Sequence, residues 1–274
     1  MPDWAQINPH LTIGQSDLAS RPPMGGWPDM ATVSRNLEEE GYLQLPPVFD
    51  NAWVTPLRDG ICNLAANGLP PVCIYLYDQP WHLFAALRPL VSRFLGDDYR
   101  LLPNFWAWHL STEAGSRGWP AHRDCQAQTR FPDGLGGHLL MSLSLWVPLT
   151  DADEDNGCMH VLPRSVENQY DPPLDDPDRI DYRQGRPLPA KVGSVLGWPQ
   201  DLFHWSGRAT GRSEVPRMSL SLEFQNPAFD PLRTPLLEID NPPPLEVRLS
   251  LIKDQFARYR HMEKTTFDPE SLTA

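Results

Sequence analysis

The chain has 274 residues, of which 41% are hydrophobic and 21% charged, and this balance indicates a globular protein with enough apolar material for a core. The net charge of −12, with no local cluster of basic residues, argues against nucleic acid or an anionic membrane as a partner. The 31 prolines argue against a helical bundle and favour loops and strand ends.

The N-terminal sequence MPDWAQINPH lacks the basic and apolar regions of a signal peptide, and no apolar run approaches the roughly 18 residues that span a membrane. We therefore expect a cytoplasmic protein. The four cysteines form no CxxC pair, which favours reduced thiols over a disulfide framework.

In chain order, the first predicted region is an extended arm over residues 1–30, which are rich in proline, glycine and polar residues. A helical flank follows over 31–100, where helical patterns and glycine stops predict helices over 31–41, 51–66 and 81–95. The sequence YLQLPPVF, between the first two helices, predicts a strand with its prolines at the end.

After residue 100, polar and apolar residues alternate in short runs separated by turn sequences. These runs predict strands in LLPNFWAWHL, HLLMSLSLWVPL, VGSVLGW and RMSLSLEF. In RMSLSLEF the apolar residues form one face, and the opposite face consists of Arg217, Ser219, Ser221 and Glu223.

Helices followed by many short strands predict a mainly β fold with flanking helices, a jelly roll, within a single domain over 1–274. The jelly-roll core is expected over 101–226. An acidic, proline-rich stretch over 167–189 is predicted to be a long loop that could act as a lid. The C-terminal extension, 227–274, is predicted to contain a helix from Leu245 to about residue 263.

A candidate metal-binding motif occurs in WPAHRDCQ, where His122 and Asp124 are two positions apart. On an extended strand both side chains project from the same face, so both can bind one ion. Taken alone this motif is weak, because a His and an Asp with this spacing also occur on protein surfaces without a metal.

His204 in DLFHWSG opens a predicted strand and supplies a second imidazole. Two imidazoles and one carboxylate form the facial triad of non-haem iron enzymes, which leaves coordination positions open. A structural zinc site would need four ligands, and no cysteine has ligand spacing. His109 and His160 are weaker alternatives as ligands, since histidines at such positions are more often packed or hydrogen-bonded.

Arg217 is a lone arginine that enters the strand RMSLSLEF. A guanidinium can bind the distal carboxylate of a chelating dicarboxylic keto acid through two hydrogen bonds. The hydroxyl of Ser206 can reach the same carboxylate if its strand returns nearby. The alternative is an ordinary strand arginine paired with Glu223 or Glu214.

With these residues in place, the chain resembles the phytanoyl-CoA dioxygenase-like group of iron(II)/2-oxoglutarate-dependent oxygenases, from about Ala31 to Phe224. The resemblance rests on ATVSRNLEEEGYLQLPPVFD, the His122-Arg123-Asp124 motif, SLSLWVPLTDADEDNGCMHVLPRS, KVGSVLGWPQDLFHWSG and PRMSLSLEF. Two departures are a slightly longer spacing at GRATGR and Ala121 where tryptophan is frequent; neither involves a proposed ligand.

The resemblance implies a double-stranded β-helix, which is a jelly roll or cupin-like barrel. It also implies iron(II) bound by His122, Asp124 and His204, with O₂ as co-substrate and 2-oxoglutarate held by Arg217 and Ser206. Asn104 and Trp146 are further candidate contacts of the co-substrate. Candidate contacts of the substrate are Trp106, Trp108, Gln126, Arg130 and Trp205.

The implied enzyme hydroxylates a C–H bond of a small organic molecule and releases succinate and CO₂. The carboxylate of Asp124 favours hydroxylation over halogenation, because a halogenase needs that coordination position for its halide. Desaturation or ring closure is an alternative outcome. A cupin-like metal-binding protein without oxygenase activity and a scaffold without activity are rival classes. A small-molecule substrate and a monomer or homodimer are expected.

Overall fold

The computed structural model describes residues 2–14, 26–134, 137–238, 242–262 and 267–272. The α-helices of these ranges are α1 (Trp4–Ile7), α2 (Met30–Glu39), α3 (Asn51–Ala66), α4 (Asp78–Ala85), α5 (Arg88–Leu95), α6 (Arg164–Glu167) and α7 (Leu245–Tyr259). The strands are β1 (Leu43–Leu45), β2 (Arg100–Leu110), β3 (Arg130–Pro132), β4 (His138–Leu140), β5 (Ser142–Pro148), β6 (Met159–Val161), β7 (Arg186–Leu188), β8 (Val195–Trp198), β9 (His204–Ser206) and β10 (Arg217–Gln225).

The strands form three antiparallel sheets. The largest has the order β1-β8-β5-β10-β2, a second has the order β7-β6-β9, and β3 pairs with β4. Antiparallel sheets with helices on one side are the arrangement of a helix-flanked jelly roll. The predicted fold class is therefore confirmed.

The central strand β10 has two chemically different faces, as its alternation predicts. Leu220, Leu222 and Phe224 are fully buried in one apolar cluster with residues of α3, α4 and α5. The opposite, polar face of β10 is turned away from α3, α4 and α5 and lines an internal cavity together with residues of β6 and β9. The core thus lies between the five-stranded sheet and the helices. The cavity lies between the five-stranded sheet and the sheet β7-β6-β9.

The predicted helix over 81–95 is wrong as a single element, because the structure has two helices, α4 and α5, over this region. Pro89 stands in the first turn of α5. Proline lacks the backbone N–H that would continue a helix from α4, and it is favoured at a helix start. The C-terminal helix begins at Leu245 as predicted and ends at Tyr259; residue 263 lies outside the described ranges.

The predicted N-terminal arm is more structured than its composition indicates. It contains the short helix α1, and Trp4 and Leu11 are buried in the apolar cluster of the flanking helices. Residues 15–25 of this predicted arm lie outside the described ranges. No helix of the described residues is long and apolar enough to cross a membrane.

The stretch 167–189 is likewise not a plain loop. It contains two 3₁₀ turns and ends in β7, which pairs with β6. Leu174 and Ile180 are buried against Phe203 and Trp205. These apolar residues are too widely spaced among prolines and aspartates to produce a periodic signal in the sequence, although together they dock the segment.

A buried ion pair joins the C-terminal helix to the helical flank. The Arg248 guanidinium contacts Asp78 at 2.5 Å, with the two side chains 1% and 0% exposed, and it also donates to the carbonyl of Leu76 at 2.7 Å. Removing one partner of such a pair leaves an uncompensated buried charge.

We predict that Arg248→Met lowers the free energy of unfolding by about 3–5 kcal/mol. The double variant Arg248→Met/Asp78→Asn should recover part of this loss, because it also removes the unpaired carboxylate. Urea denaturation measures both. Arg183→Met is the control: its guanidinium pairs with Asp181 but is 90% exposed, so stability should hardly change. Equal losses in Arg248→Met and Arg183→Met would contradict the prediction.

Candidate metal centre

Three potential metal ligands converge between the sheets. One ligand atom each of His122, Asp124 and His204 lies within 4.8 Å of the others. The Oδ1 atom of Asp124 is 3.4 Å from Nε2 of His122 and 3.6 Å from Nε2 of His204. Ligand atoms bound to one ion at about 2.1 Å lie about 3 Å apart, so a small contraction brings these three onto a common ion.

The two imidazoles are oriented by backbone carbonyl groups. Nδ1 of His122 lies 2.8 Å from the carbonyl oxygen of Pro120, and Nδ1 of His204 lies 3.0 Å from that of Leu202. Because a carbonyl can only accept, each Nδ1 carries a proton, and in the neutral form of each imidazole Nε2 keeps its lone pair for a metal. This arrangement is typical of the groups that orient metal-bound histidines.

The His-x-Asp motif does not lie on a strand, which corrects the expectation from spacing. Asp124 is in an irregular segment, and His122 forms an isolated bridge with His204. In this bridge the two histidines exchange both backbone hydrogen bonds, at 3.0 and 3.1 Å. The ligands are therefore brought together by pairing between distant segments and not by strand alternation.

Asp124 is held by the large sheet. Its Oδ2 accepts a hydrogen bond from the Ser144 hydroxyl of β5 at 2.7 Å, which leaves Oδ1 directed at the two imidazoles. Burial alone would raise the pKa of Asp124, but His204, His122 and Ser144 outweigh burial and hold this pKa below its usual range. The group is thus an anionic ligand at neutral pH.

The two histidines differ in their protonation. Burial lowers the pKa of His204 to about 4, so this imidazole is neutral at neutral pH. For His122, burial alone would lower the pKa, but the hydrogen bond and charge of Asp124 outweigh burial and raise it. A metal would thus meet a neutral His204. At a pH low enough for His122 to be protonated, the metal would have to displace the proton on its Nε2.

Arg217 is fully buried and has no carboxylate partner among the described residues. Its Nη2 donates to the Ser206 hydroxyl at 3.0 Å and its Nη1 to the Ser219 hydroxyl at 3.1 Å, so the alternative pairing with Glu223 or Glu214 is not observed. Burial lowers the pKa of Arg217 to about 10, which leaves the guanidinium charged at neutral pH. A buried, uncompensated cation is costly unless a ligand supplies the counter-charge.

Two buried donors at this end of the cavity have no acceptor among the described residues: Nε of Arg217 and Nε1 of Trp146. The guanidinium carbon lies 5.5 Å from the centre of the Trp146 ring. Buried polar atoms are normally hydrogen-bonded. A pair of free donors beside a cation fits an anionic ligand such as the distal carboxylate of 2-oxoglutarate.

Gly118 gives the chain room to pass over the arginine. A Cβ atom at this position would lie 3.3 Å from Nη2 of Arg217 and 3.2 Å from Cβ of Ser206. The backbone N–H of Gly118 also donates to the Ser206 hydroxyl at 3.0 Å. Gly118 was not among the predicted site residues, because a single glycine in an irregular segment carries no local signal.

One cavity joins the candidate metal ligands to the arginine. The predicted site residues that line it are His122, Asp124, His204, Ser206, Arg217, Trp108 and Trp146. It is also lined by residues that the sequence analysis did not place at the site, namely Trp119, Ser144, Leu145, Met159, Trp198, Ser221 and Glu223. Of these, Ser144, Ser221 and Glu223 carried a signal, since each alternates onto the same strand face as a predicted site residue.

The remaining predicted contacts lie elsewhere. Asn104 bonds to Glu223 behind the cavity wall, and Trp106 is fully buried in an aromatic cluster that includes Trp119 and Tyr259. The other three are outside the cavity lining: exposed Gln126, Arg130 bonded to the carbonyl of Glu38, and Trp205 stacked on His160.

His109 and His160 are not brought to the three candidate ligands. His109 lines an open groove on the other side of Trp108, and His160 lies against Trp205 with its Nδ1 3.2 Å from the carbonyl of Cys158. Neither lines the cavity, so the structure favours His204 over both as the third ligand.

The family of the chain follows from a sequence comparison. The phytanoyl-CoA dioxygenase (PhyH) family matches residues 77–219, just over half of the chain. The chain belongs to this family, which confirms the resemblance seen in its motifs. It is an iron(II)/2-oxoglutarate-dependent oxygenase, with iron, 2-oxoglutarate and O₂ as its cofactor and co-substrates. No curated protein sequence matches the chain.

Solved structures show the same fold. The apo form of the non-heme monooxygenase ThoJ is similar with a TM-score of 0.61 and 15% identity, covering 84% of this chain and 96% of ThoJ. EvdO2 from Micromonospora carbonacea var. aurantiaca, complexed with 2-oxoglutarate, is similar with a TM-score of 0.52 and 19% identity, covering 82% and 98%. The epimerase SnoN, in complex with Fe3+, alpha ketoglutarate and nogalamycin RO, has a TM-score of 0.50 and 17% identity, covering 72% and 83%.

The depressed pKa of His204 predicts how the stability of the metal-free protein depends on pH. The unfolded chain protonates this residue near its ordinary pKa of 6.5, whereas the folded chain does so only near about 4. The stability that His204 contributes is therefore present above pH 6.5 and is lost as the pH falls towards about 4.

We predict that His204→Gln loses less stability than the unmodified chain over this pH interval, because the variant has no proton to take up on unfolding. Urea denaturation with a chelator present measures the difference. His10→Gln, at an exposed histidine, is the control and should keep the original pH profile. A profile of His204→Gln parallel to that of the unmodified chain would show that this histidine is not buried in its neutral form.

Proposed function

We propose that this oxygenase hydroxylates an unactivated C–H bond of a small organic molecule or natural-product intermediate, with iron held by His122, Asp124 and His204. The observation that carries the proposal is a single cavity that contains both this ligand set and the uncompensated Arg217. A structural metal site would need no such cation beside it. A dicarboxylic co-substrate needs both groups at once.

The metal ligands and the co-substrate anchor lie in different parts of the cavity and have different proposed roles. His122, Asp124 and His204 would hold the metal through three ligand atoms, which would leave coordination positions open for the co-substrates. Arg217 binds the distal carboxylate of 2-oxoglutarate, with the hydroxyl of Ser206 as a second donor. Bound iron supplies the oxidation of the substrate by O₂, coupled to conversion of 2-oxoglutarate into succinate and CO₂.

Hydroxylation is favoured over halogenation because the carboxylate of Asp124 takes the position that a halide would need. Related proteins support a small-molecule substrate: ThoJ is a monooxygenase, and SnoN has been seen with nogalamycin RO. Mass analysis of the product tests the outcome: hydroxylation adds one oxygen atom, whereas desaturation or ring closure removes two hydrogens. Oxygen-dependent succinate formation tests the class.

We predict that the protein binds one Fe(II) per chain and, without O₂, gives a weak visible charge-transfer band when 2-oxoglutarate is added. His204→Ala should abolish this band because it removes a ligand. His160→Ala is the matched control and should retain the band, since His160 lies outside the cavity. Loss of the band in His160→Ala with retention in His204→Ala would reverse the assignment of the third ligand.

We predict that Arg217→Ala weakens 2-oxoglutarate binding by on the order of ten- to a thousandfold, since it removes two charge-assisted hydrogen bonds. Arg217→Lys should recover only part of this affinity, because an ammonium lacks the two-pronged geometry. Iron binding should survive both changes. Titration of 2-oxoglutarate, followed by the charge-transfer band, measures the effect.

Arg212 is the control for this experiment. It is an exposed arginine five positions earlier that pairs with Asp155, so Arg212→Ala should leave 2-oxoglutarate affinity unchanged. If Arg212→Ala weakened binding and Arg217→Ala did not, the co-substrate would be anchored by the loop and not by β10.

A further inference from the structure

Glu223 lies on the same face of β10 as Arg217, but at the other end of the cavity. Six residues of antiparallel strand separate them, which is about 20 Å at about 3.4 Å per residue. Glu223 is directly opposite Ser144 of β5, the residue that holds Asp124. Glu223 thus lies near Asp124 and away from the 2-oxoglutarate end of the cavity, in the region left for the substrate.

The Glu223 carboxyl accepts hydrogen bonds from two amides but has no ion-pair partner among the described residues. Burial and the charge of Asp124 raise the pKa of Glu223 well above its usual range, so its ionised form becomes favourable only when a cation lies beside it. Its Oε2 accepts hydrogen bonds from the side-chain amides of Asn104, at 2.8 Å, and Gln200. Its Oε1 accepts none from the described residues, and no basic side chain of those residues lies within ion-pair distance of it. The neighbouring Arg258 donates to the side-chain Oδ1 of Asn104 at 2.7 Å instead.

Glu223 shares its cavity with aromatic walls. Trp119 and Trp198 line the same cavity, and the ring of Trp198 lies 4.6 Å from that of His204. Trp198 and Glu223 both pair with Ser144, from the two neighbouring strands, so the three residues form one row across the sheet. Indole faces attract organic cations, and the attraction increases when the cation is desolvated.

We propose that Glu223 binds a cationic ammonium group of the substrate and thereby positions the adjacent carbon skeleton at the metal. This inference rests on the proposed function and adds a substrate class to it, an organic amine. The carboxylate supplies the counter-charge and a free acceptor oxygen, and the indoles supply π faces. A neutral alcohol could use the acceptor oxygen but would gain nothing from the charge.

The experiment uses the complete chain with Fe(II) and 2-oxoglutarate in the absence of O₂. Calorimetry compares primary alkylammonium ions, from methyl- to hexylammonium, with the alcohols of equal length. We expect the best ammonium to bind at least about tenfold more tightly than its alcohol, on the scale of one charge-assisted hydrogen bond. Glu223→Gln should reduce this preference to about twofold or less without changing 2-oxoglutarate affinity.

Two further variants make the result specific. Glu223→Asp retains the charge and should retain part of the preference, which also covers the case in which Glu223→Gln does not fold. Glu214→Gln makes the same chemical change at an exposed position before β10 and should retain the full preference.

Equal binding of each ammonium and its alcohol to the unmodified protein would overturn the inference, as would a preference that survives in Glu223→Gln. The charge-transfer band separates this from failure of the proposed function. If the band forms and no ammonium preference is seen, only the role of Glu223 fails. If no band forms, the ligand and co-substrate assignment fails.

Discussion

The candidate site depends on one backbone pairing, in which His122 and His204 exchange both of their hydrogen bonds. This bridge joins an irregular segment to β9 and places the two imidazole rings 4.3 Å apart. The carbonyl groups of Pro120 and Leu202 then set the proton on each Nδ1. Loss of the pairing would separate the ligands even if every side chain remained, because neither histidine is positioned by its own local structure.

The five-stranded sheet gives the cavity around these histidines two chemically different ends. β10 gives its apolar face to the helices and its polar face to the cavity, so one strand contributes to both stability and chemistry. Arg217 and Glu223 then lie at opposite ends of that polar face, and Ser144 holds Asp124 near the Glu223 end. In the proposed function, the co-substrate would bind at the Arg217 end and the substrate at the Glu223 end of this cavity.

The ionised forms of Arg217 and Glu223, at the two ends of the cavity, are unfavourable in the protein without ligands. Arg217 is buried without a carboxylate, and Glu223 accepts from two amides with no ion pair among the described residues. Burial disfavours the charged form of each group, lowering the pKa of Arg217 and raising that of Glu223, until an oppositely charged partner binds. Such a site is preorganised for ligands of opposite charge, since little rearrangement is needed when they bind.

Much of this could be predicted from residue order alone. The alternation in RMSLSLEF predicted a strand with Arg217 on its polar face, and the types and spacing of His122, Asp124 and His204 predicted a facial triad. The strand prediction succeeds because the periodicity of a strand is written into a few consecutive residues. The convergence of His122 and Asp124, in contrast, does not come from strand alternation, as their spacing had indicated.

Only the tertiary structure decided the rest. The Ser144 bond to Asp124, the position of Gly118 over Arg217 and the exclusion of His160, Trp205 and Arg130 from the cavity all depend on which strands pair and in what register. The docking of the stretch 167–189 depends likewise on scattered apolar residues that meet only in the folded chain. These contacts join segments far apart in sequence, and a local pattern carries no information about the register that brings them together.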